Sequence, residues 1–166
     1  DFSLINEAFQ RCYLNDNNTK AYFNTIINNK ENESYSRYTY FYINYLIENH
    51  YYDEAKKITK NLDYLTASTL VSQGKKWIEV EKIKEFKKIF SCRNSNDIVG
   101  ELFFLVANLY SAEEDYKKSN FYLNIAYYLN PKFKFNLSLL ANNYYLNKDY
   151  LKTLEILESF KKKDDF

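Results

Sequence analysis

Few residues in this chain could do chemistry. It carries one histidine and two cysteines, and its 23 basic residues nearly balance 22 acidic ones for a net charge of +1. His50 has no second ligand or base at a recognisable spacing, so a surface position in a turn is expected for it. Neither Cys12 nor Cys92 sits in a thiol motif, and structural free thiols are the expectation. The acidic pairs Glu113-Glu114 and Asp164-Asp165 lie in polar stretches where solvation accounts for them. No Gly-rich phosphate loop, no Ser or Cys with a matching His and acid, and no metal-spaced His/Cys set occurs. The residues point away from an enzyme, and no cofactor is expected.

What remains is recognition chemistry, carried by amides and rings. The chain has 21 Asn, 18 Tyr and 13 Phe, with 20 Lys against only 3 Arg. An Asn side chain can donate to and accept from a peptide main chain. Tyr and Phe add apolar area with few rotamers to freeze. Nucleic-acid binders usually show a basic face with Arg prominent, and none is visible; the runs Lys87-Lys88 and Lys161 to Lys163 read as solvated helix faces. The Lys, Asn, Tyr and Phe bias also resembles translation of an AT-rich genome. Three Asn-x-Ser/Thr triplets, beginning at Asn17, Asn32 and Asn136, are expected by accident at this Asn content.

The elements that position these residues are helices. With two Gly and one Pro in 166 residues, the turns that strands need are scarce. The clearest unit is Gly100 to Phe133. Phe103, Val106, Ala107 and Tyr110 form one helical stripe, and Tyr116, Ser119, Leu123, Ala126 and Leu129 form a second. Glu113 to Asp115 breaks the two, with Asp115 placed to cap the second helix. Pro131 ends it by biasing Asn130 out of the helical region. Ala107, Ser119 and Ala126 are small where the helices would cross. A copy follows 34 residues on, with Leu137, Leu140, Ala141, Tyr144, Asp149, Tyr150, Thr153, Leu157 and Phe160 in the same register.

This register resembles the tetratricopeptide repeat, whose pattern places a large residue at position 4, Leu at 7, a small residue at 8, Tyr at 11 and 17, Ala at 20 and 27 and Pro at 32. Counted from Gly100, the matching residues are Phe103, Val106, Ala107, Tyr110, Tyr116, Ser119, Ala126 and Pro131. A weaker copy covers 36–66, with Thr39, Tyr42, Ile43, Leu46, Tyr52, Ala55 and Leu62. Another covers 67–99 from near Ala67, with Leu70, Gly74, Trp77, Ile83, Phe86 and Phe90; mid-helix Gly74 suggests a close contact, since Gly there costs about 1 kcal/mol against Ala. The polar run Ser91 to Asp97 is read as a loop that restarts the register. Residues 1–35 match poorly and are read as a diverged or capping hairpin.

The resemblance implies one all-α domain over 1–166, a right-handed α-solenoid of antiparallel hairpins, acting as a scaffold for a protein or peptide partner. In that family the first helices line a concave groove. Carried over, the groove residues are Tyr40, Asn44, Lys75, Glu101, Phe104, Asn108, Asn142 and Tyr145. The mode by which some family members grip a carboxylate tail is not expected, because Tyr40, Ser72, Glu101 and Leu105 stand where Lys, Asn, Lys and Arg would be needed. The alternatives are a structural spacer in a longer solenoid and, less favoured, an RNA-binding repeat.

No run of 18 apolar residues exists, so no membrane span is expected. The chain lacks Met and begins at Asp1, as an excised segment would. A cytoplasmic setting is favoured, with the cell envelope open if a signal peptide preceded it. The last helix, Tyr150 to Lys162, has more apolar residues than one stripe can bury. Part of it, around Leu154 and Ile156, is expected to be exposed or covered by another molecule, including a second copy.

Overall fold

The computed structural model describes residues 2–28, 36–62 and 68–160. Asp1, the triplet at Asn32, the repeat start at Ala67, Lys161 to Lys163 and Asp164-Asp165 lie outside them. The described residues form α-helices and no strand: α1 (Phe2–Tyr13), α2 (Thr19–Asn28), α3 (Ser36–Glu48), α4 (Tyr52–Lys60), α5 (Thr69–Glu79), α6 (Lys84–Ile89), α7 (Ser95–Ala112), α8 (Tyr116–Leu129), α9 (Asn136–Leu146) and α10 (Tyr150–Glu158). They fall into two compact units, one up to Ser95 and one from Asn96.

Among the described residues one turn recurs five times. Asn15, His50, Glu81, Glu114 and Lys148 all adopt positive φ, between 56° and 64°, and follow one another at intervals of 31 to 35 residues. The residue after each donates its amide five positions back: Asp16 to Arg11 and Asp115 to Tyr110 at 2.9 Å, Tyr51 to Leu46 and Lys82 to Trp77 at 2.8 Å, and Asp149 to Tyr144 at 2.9 Å. Each positive-φ residue donates three positions back, from 2.9 Å for Lys148 to Tyr145 up to 3.3 Å for Glu81 to Ile78. This is the Schellman closure of a helix C-terminus, which satisfies two carbonyls that the helix leaves unpaired. It ends the first helix of every pair, including the pair whose side-chain pattern is weakest in sequence.

In the first unit α3 is apolar nearly all round. Tyr38, Tyr40, Phe41, Tyr42, Ile43, Leu46 and Ile47 are all buried, so this helix is the core rather than one wall of it. Phe41 meets Phe9 of α1 at 5.3 Å between ring centroids and Phe90 at 4.5 Å, and Tyr40 stacks on Phe86 of α6 at 5.6 Å. Gly74 of α5 lets this happen: a Cβ there would stand 3.1 Å from Tyr40 and 3.4 Å from Phe86. The close contact expected from its place in the register is therefore present.

The expectation of free thiols is overturned, because a disulfide joins Cys12 at the end of α1 to Cys92 beyond α6. Spacing could not show it, since the pair is separated by 80 residues and meets only when the hairpins pack. In the chain-entropy account, closing a loop of that size stabilises the fold by about 4.5 kcal/mol. Beside it, Arg93 donates to Asn15 Oδ1 at 2.7 Å and Asn49 Oδ1 at 2.8 Å, tying two of the repeated turns together. Glu48 is drawn into the same place.

In the second unit α7 and α8 pair as expected, joined at Glu113 to Asp115, with Ala107, Ser119 and Ala126 fully buried. Asp115 caps α8 by accepting from the Lys118 amide at 3.1 Å. Helix α7 starts earlier than the polar run suggested: Ser95 to Asp97 are its first turn, where an acid suits the helix dipole, and Ile98 and Gly100 are buried. A Cβ on Gly100 would lie 3.3 Å from the Ala126 carbonyl. Ala107, Leu123, Leu137 and Leu140 form the apolar centre, with Ile156 and Phe160 packed against it. Ile156 is therefore half-buried rather than exposed, while Leu154 is exposed as expected.

Burial raises the Glu48 pKa above its ordinary 4.5, and the Ser91 hydrogen bond and the charges of Lys87 and Arg93 offset this only in part. A raised carboxyl pKa means that the folded state holds the proton more tightly, so stability is lost as pH rises through the folded pKa. Glu48→Gln is expected to raise the melting temperature at pH 7, and the gain should vanish as pH falls below 4.5, as followed by circular dichroism at both pH values.

Candidate functional site

The eight residues expected along a groove have different fates. Tyr40, Asn44 and Glu101 are buried. Asn44 spends its amide inside the first unit, donating to the Phe90 carbonyl at 3.0 Å and the Phe86 carbonyl at 3.2 Å. Burial pushes the Tyr40 hydroxyl pKa up and keeps it neutral. Lys75 is half-buried and its Nζ donates to the Leu62 carbonyl at 2.6 Å. Phe104 is half-buried against the second core, and Asn108, Asn142 and Tyr145 are exposed. Tyr40, Asn44 and Glu101 are thus corrected from ligand-facing to interior positions. For Tyr40 and Asn44 the reason is that α3 packs against α2, α4, α5 and α6 and meets Phe9 of α1, so nearly all of its circumference is core; Glu101 lies on α7, beside the buried Ile98 and Gly100.

The second unit holds a concave site elsewhere. A cleft of about 620 Å³ is lined by Tyr116, Lys117, Asn120, Phe121 and Asn124 of α8, Tyr144 of α9, Asn147 and Asp149 of the turn, and Lys152 of α10. A smaller hollow of about 340 Å³ shares Asn124, Tyr144 and Lys152 and reaches Tyr127, Leu137, Leu140 and Ile156. It is made by the second helices of two successive hairpins with the end of α9 as its floor.

Its walls are set by a repeated device. Asp149 caps α10 by accepting from the Lys152 amide at 3.2 Å, and Lys152 Nζ sits 3.3 Å from the Asp149 carboxylate and 5.2 Å from the Tyr144 ring centre. Thirty-four residues earlier Asp115, Lys118 and Tyr110 make the same set, with ion-pair and ring distances of 2.7 and 5.2 Å. The Lys118 hydrogen bond lowers the Asp115 pKa, and Asp115 raises that of Lys118. Lys118 is exposed and Asp115 half-buried at the surface, and the pair adds little stability.

Below the cleft Asn143 is a buried hub. Its Nδ2 donates to Ser119 Oγ at 2.7 Å and Asn120 Oδ1 at 2.9 Å, while its Oδ1 accepts from Ser111 at 2.6 Å. These bonds bring α7, α8 and α9 to one point and fix the Asn120 side chain on the cleft wall. Asn124, one turn on, donates to the Asn120 carbonyl at 2.7 Å. Phe121 between them is 60% exposed, a ring offered to solvent at the cleft mouth.

Rings, amides and charges of both signs can hold a peptide-like ligand by stacking and main-chain hydrogen bonds. No group of three His, Cys, Asp or Glu among the described residues could hold a metal ion. None of their helices is long and apolar enough to cross a membrane. Sequence reading missed the cleft because it ranked first helices above second ones. The signals were the exposed Phe121 off the apolar stripe and the amide pair Asn120 and Asn124 at one helical turn. No protein-family model, curated protein or solved structure matches the chain.

Removing the hub should loosen this wall. Asn143→Ala leaves buried hydroxyl and amide groups without partners and is expected to cost about 1–3 kcal/mol in urea unfolding. Asn142→Ala, one residue away and exposed, should cost under about 0.5 kcal/mol.

Proposed function

We propose that this chain is a right-handed solenoid of helical hairpins of the tetratricopeptide-repeat kind, and that it serves as a protein-interaction scaffold. The observation that carries this reading is the turn repeated at near-constant interval in five hairpins, with positive φ at Asn15, His50, Glu81, Glu114 and Lys148. A unit that recurs this regularly buries its apolar face on its neighbours and leaves long surfaces for a partner. The α8/α10 cleft is the surface best suited to an extended peptide, because Phe121, Asn120, Asn124 and Lys152 combine a ring, amides and a cation around one hollow.

Panning a phage-displayed peptide library against the purified protein tests this. Enriched peptides are expected to bind at least tenfold more weakly to Phe121→Asp and Lys152→Glu, with Asn108→Ala and Asn142→Ala unchanged. Loss of binding through the latter pair alone would return the site to the first helices.

The disulfide supports a setting in an oxidising compartment, on the envelope or secreted side rather than in the cytoplasm. Such bonds persist where thiols are not kept reduced, and this one is buried at both sulfurs' residues. Alkylating intact cells under denaturing quench, before any reductant, should leave Cys12 and Cys92 unmodified. Full labelling of both would place the protein in a reducing compartment.

A further inference from the structure

The two asparagines on the cleft wall are not interchangeable, because the protein's own hydrogen bonds settle which end of each amide is left for a ligand. Asn120 Oδ1 accepts from Asn143 Nδ2 at 2.9 Å, which leaves the Asn120 Nδ2 for the cleft that this residue lines. Asn124 Nδ2 donates to the Asn120 carbonyl at 2.7 Å, and its Oδ1 is the end left over. The wall thus offers a donor at Asn120 and an acceptor at Asn124. Asn143 is fully buried and Asn120 half-buried, so the donor is held in place rather than free to turn over.

That pair matches the edge of an extended peptide. Four residues of helix rise about 6 Å, and an extended chain turns an N–H and a C=O to the same side at every second residue, a period of about 6.6 Å. One peptide carbonyl can therefore take the Asn120 donor while an N–H on the same edge meets Asn124. A helical partner could not make both bonds, since its N–H and C=O groups are spent on one another. Beyond Asn124 the chemistry changes. Asn124 also borders the hollow of about 340 Å³, where Tyr127, Leu137, Leu140 and Ile156 supply apolar walls, and Leu137 and Leu140 belong to the apolar centre of the unit. The cleft beside it is about 620 Å³, so the hollow suits a side chain rather than a second length of chain.

We propose that the α8/α10 cleft reads an extended peptide with one large apolar side chain, its main chain held by the Asn120 donor and the Asn124 acceptor and that side chain seated in the hollow beyond Asn124. This rests on the reading of the cleft as a peptide site and adds what the peptide must carry. The two amides accept any sequence, since every residue but Pro offers both an N–H and a C=O. Selectivity comes from the hollow, which favours Leu, Ile, Met or Phe over polar residues by the apolar area it removes from water.

The probe is the most enriched peptide of the phage-displayed library, synthesised with a fluorescein label, titrated with the protein and followed by anisotropy. Two variants matched in charge separate the roles: Asn120→Asp keeps the oxygen that Asn143 needs but loses the donor, whereas Asn124→Asp keeps the acceptor. Asn120→Asp is expected to weaken binding about tenfold or more and Asn124→Asp less than about threefold, while Asn124→Leu, which removes the acceptor, should again cost about tenfold. Asn124 is exposed and Asn120 half-buried, so circular dichroism should show all three variants folded. On the peptide, Ser in place of one apolar residue should cost about tenfold, and so should N-methylation at one bond, with nothing further lost on Asn124→Leu. Equal losses in the two Asp variants, or a peptide in which no apolar position matters, overturn the proposal. A bound peptide that circular dichroism shows to be helical overturns it too. In those cases sensitivity to Phe121→Asp would still keep the cleft as a peptide site; enrichment of no peptide at all would overturn that reading and this proposal together.

Discussion

Each helix pair among the described residues depends on one backbone constraint, a single residue held at positive φ just beyond the first helix of the pair. The conformation is costly for a side chain with a Cβ, on the order of 1 kcal/mol, and here it is taken by Asn, His, Glu, Glu and Lys rather than Gly. Two backbone hydrogen bonds offset the cost at each turn, by pairing carbonyls that would otherwise be left over at the helix end. The chain is thereby turned at the end of the first helix, before the second helix begins. Side-chain patterns then decide what each hairpin packs against. This explains how α1 and α2 can share the turn geometry of the other pairs while sharing little of their side-chain pattern.

Two buried asparagines show how the packed helices are held in register. Asn44 joins α3 to the carbonyls at the end of α6, and Asn143 joins α9 to Ser111 of α7 and to α8. A buried donor is unfavourable unless it is paired, so the Nδ2 of each admits one arrangement of its neighbours and penalises slippage. Apolar contacts alone would tolerate a shift of one turn. In the first unit the disulfide and Arg93 add a covalent and a polar tie at the same end, where Asn15 and Asn49 are gathered.

The division of labour between the two faces of α10 follows from these restraints. Its inner side is fixed by the Asp149 cap and by Ile156 against the core, and so contributes to a shaped cleft. Its outer side carries leucines at positions where the equivalent helix is sheltered.

The sequence by itself determined the helical class, the hairpin around Glu113 to Asp115, its cap, the small residues at the crossing and the tight approach at Gly74. These are local matters: periodicity, turn chemistry and side-chain size act within about one repeat. What tertiary structure decided is which amides are interior and which are surface. Asn44 and Asn108 were expected to face one groove, yet one is enclosed and the other is exposed. That difference depends on the helices that surround α3, which is apolar nearly all round. The pairing of Cys12 with Cys92 and the cleft between α8 and α10 are of the same kind. Each brings together residues from different hairpins, and their distance in space is set by packing rather than by spacing along the chain.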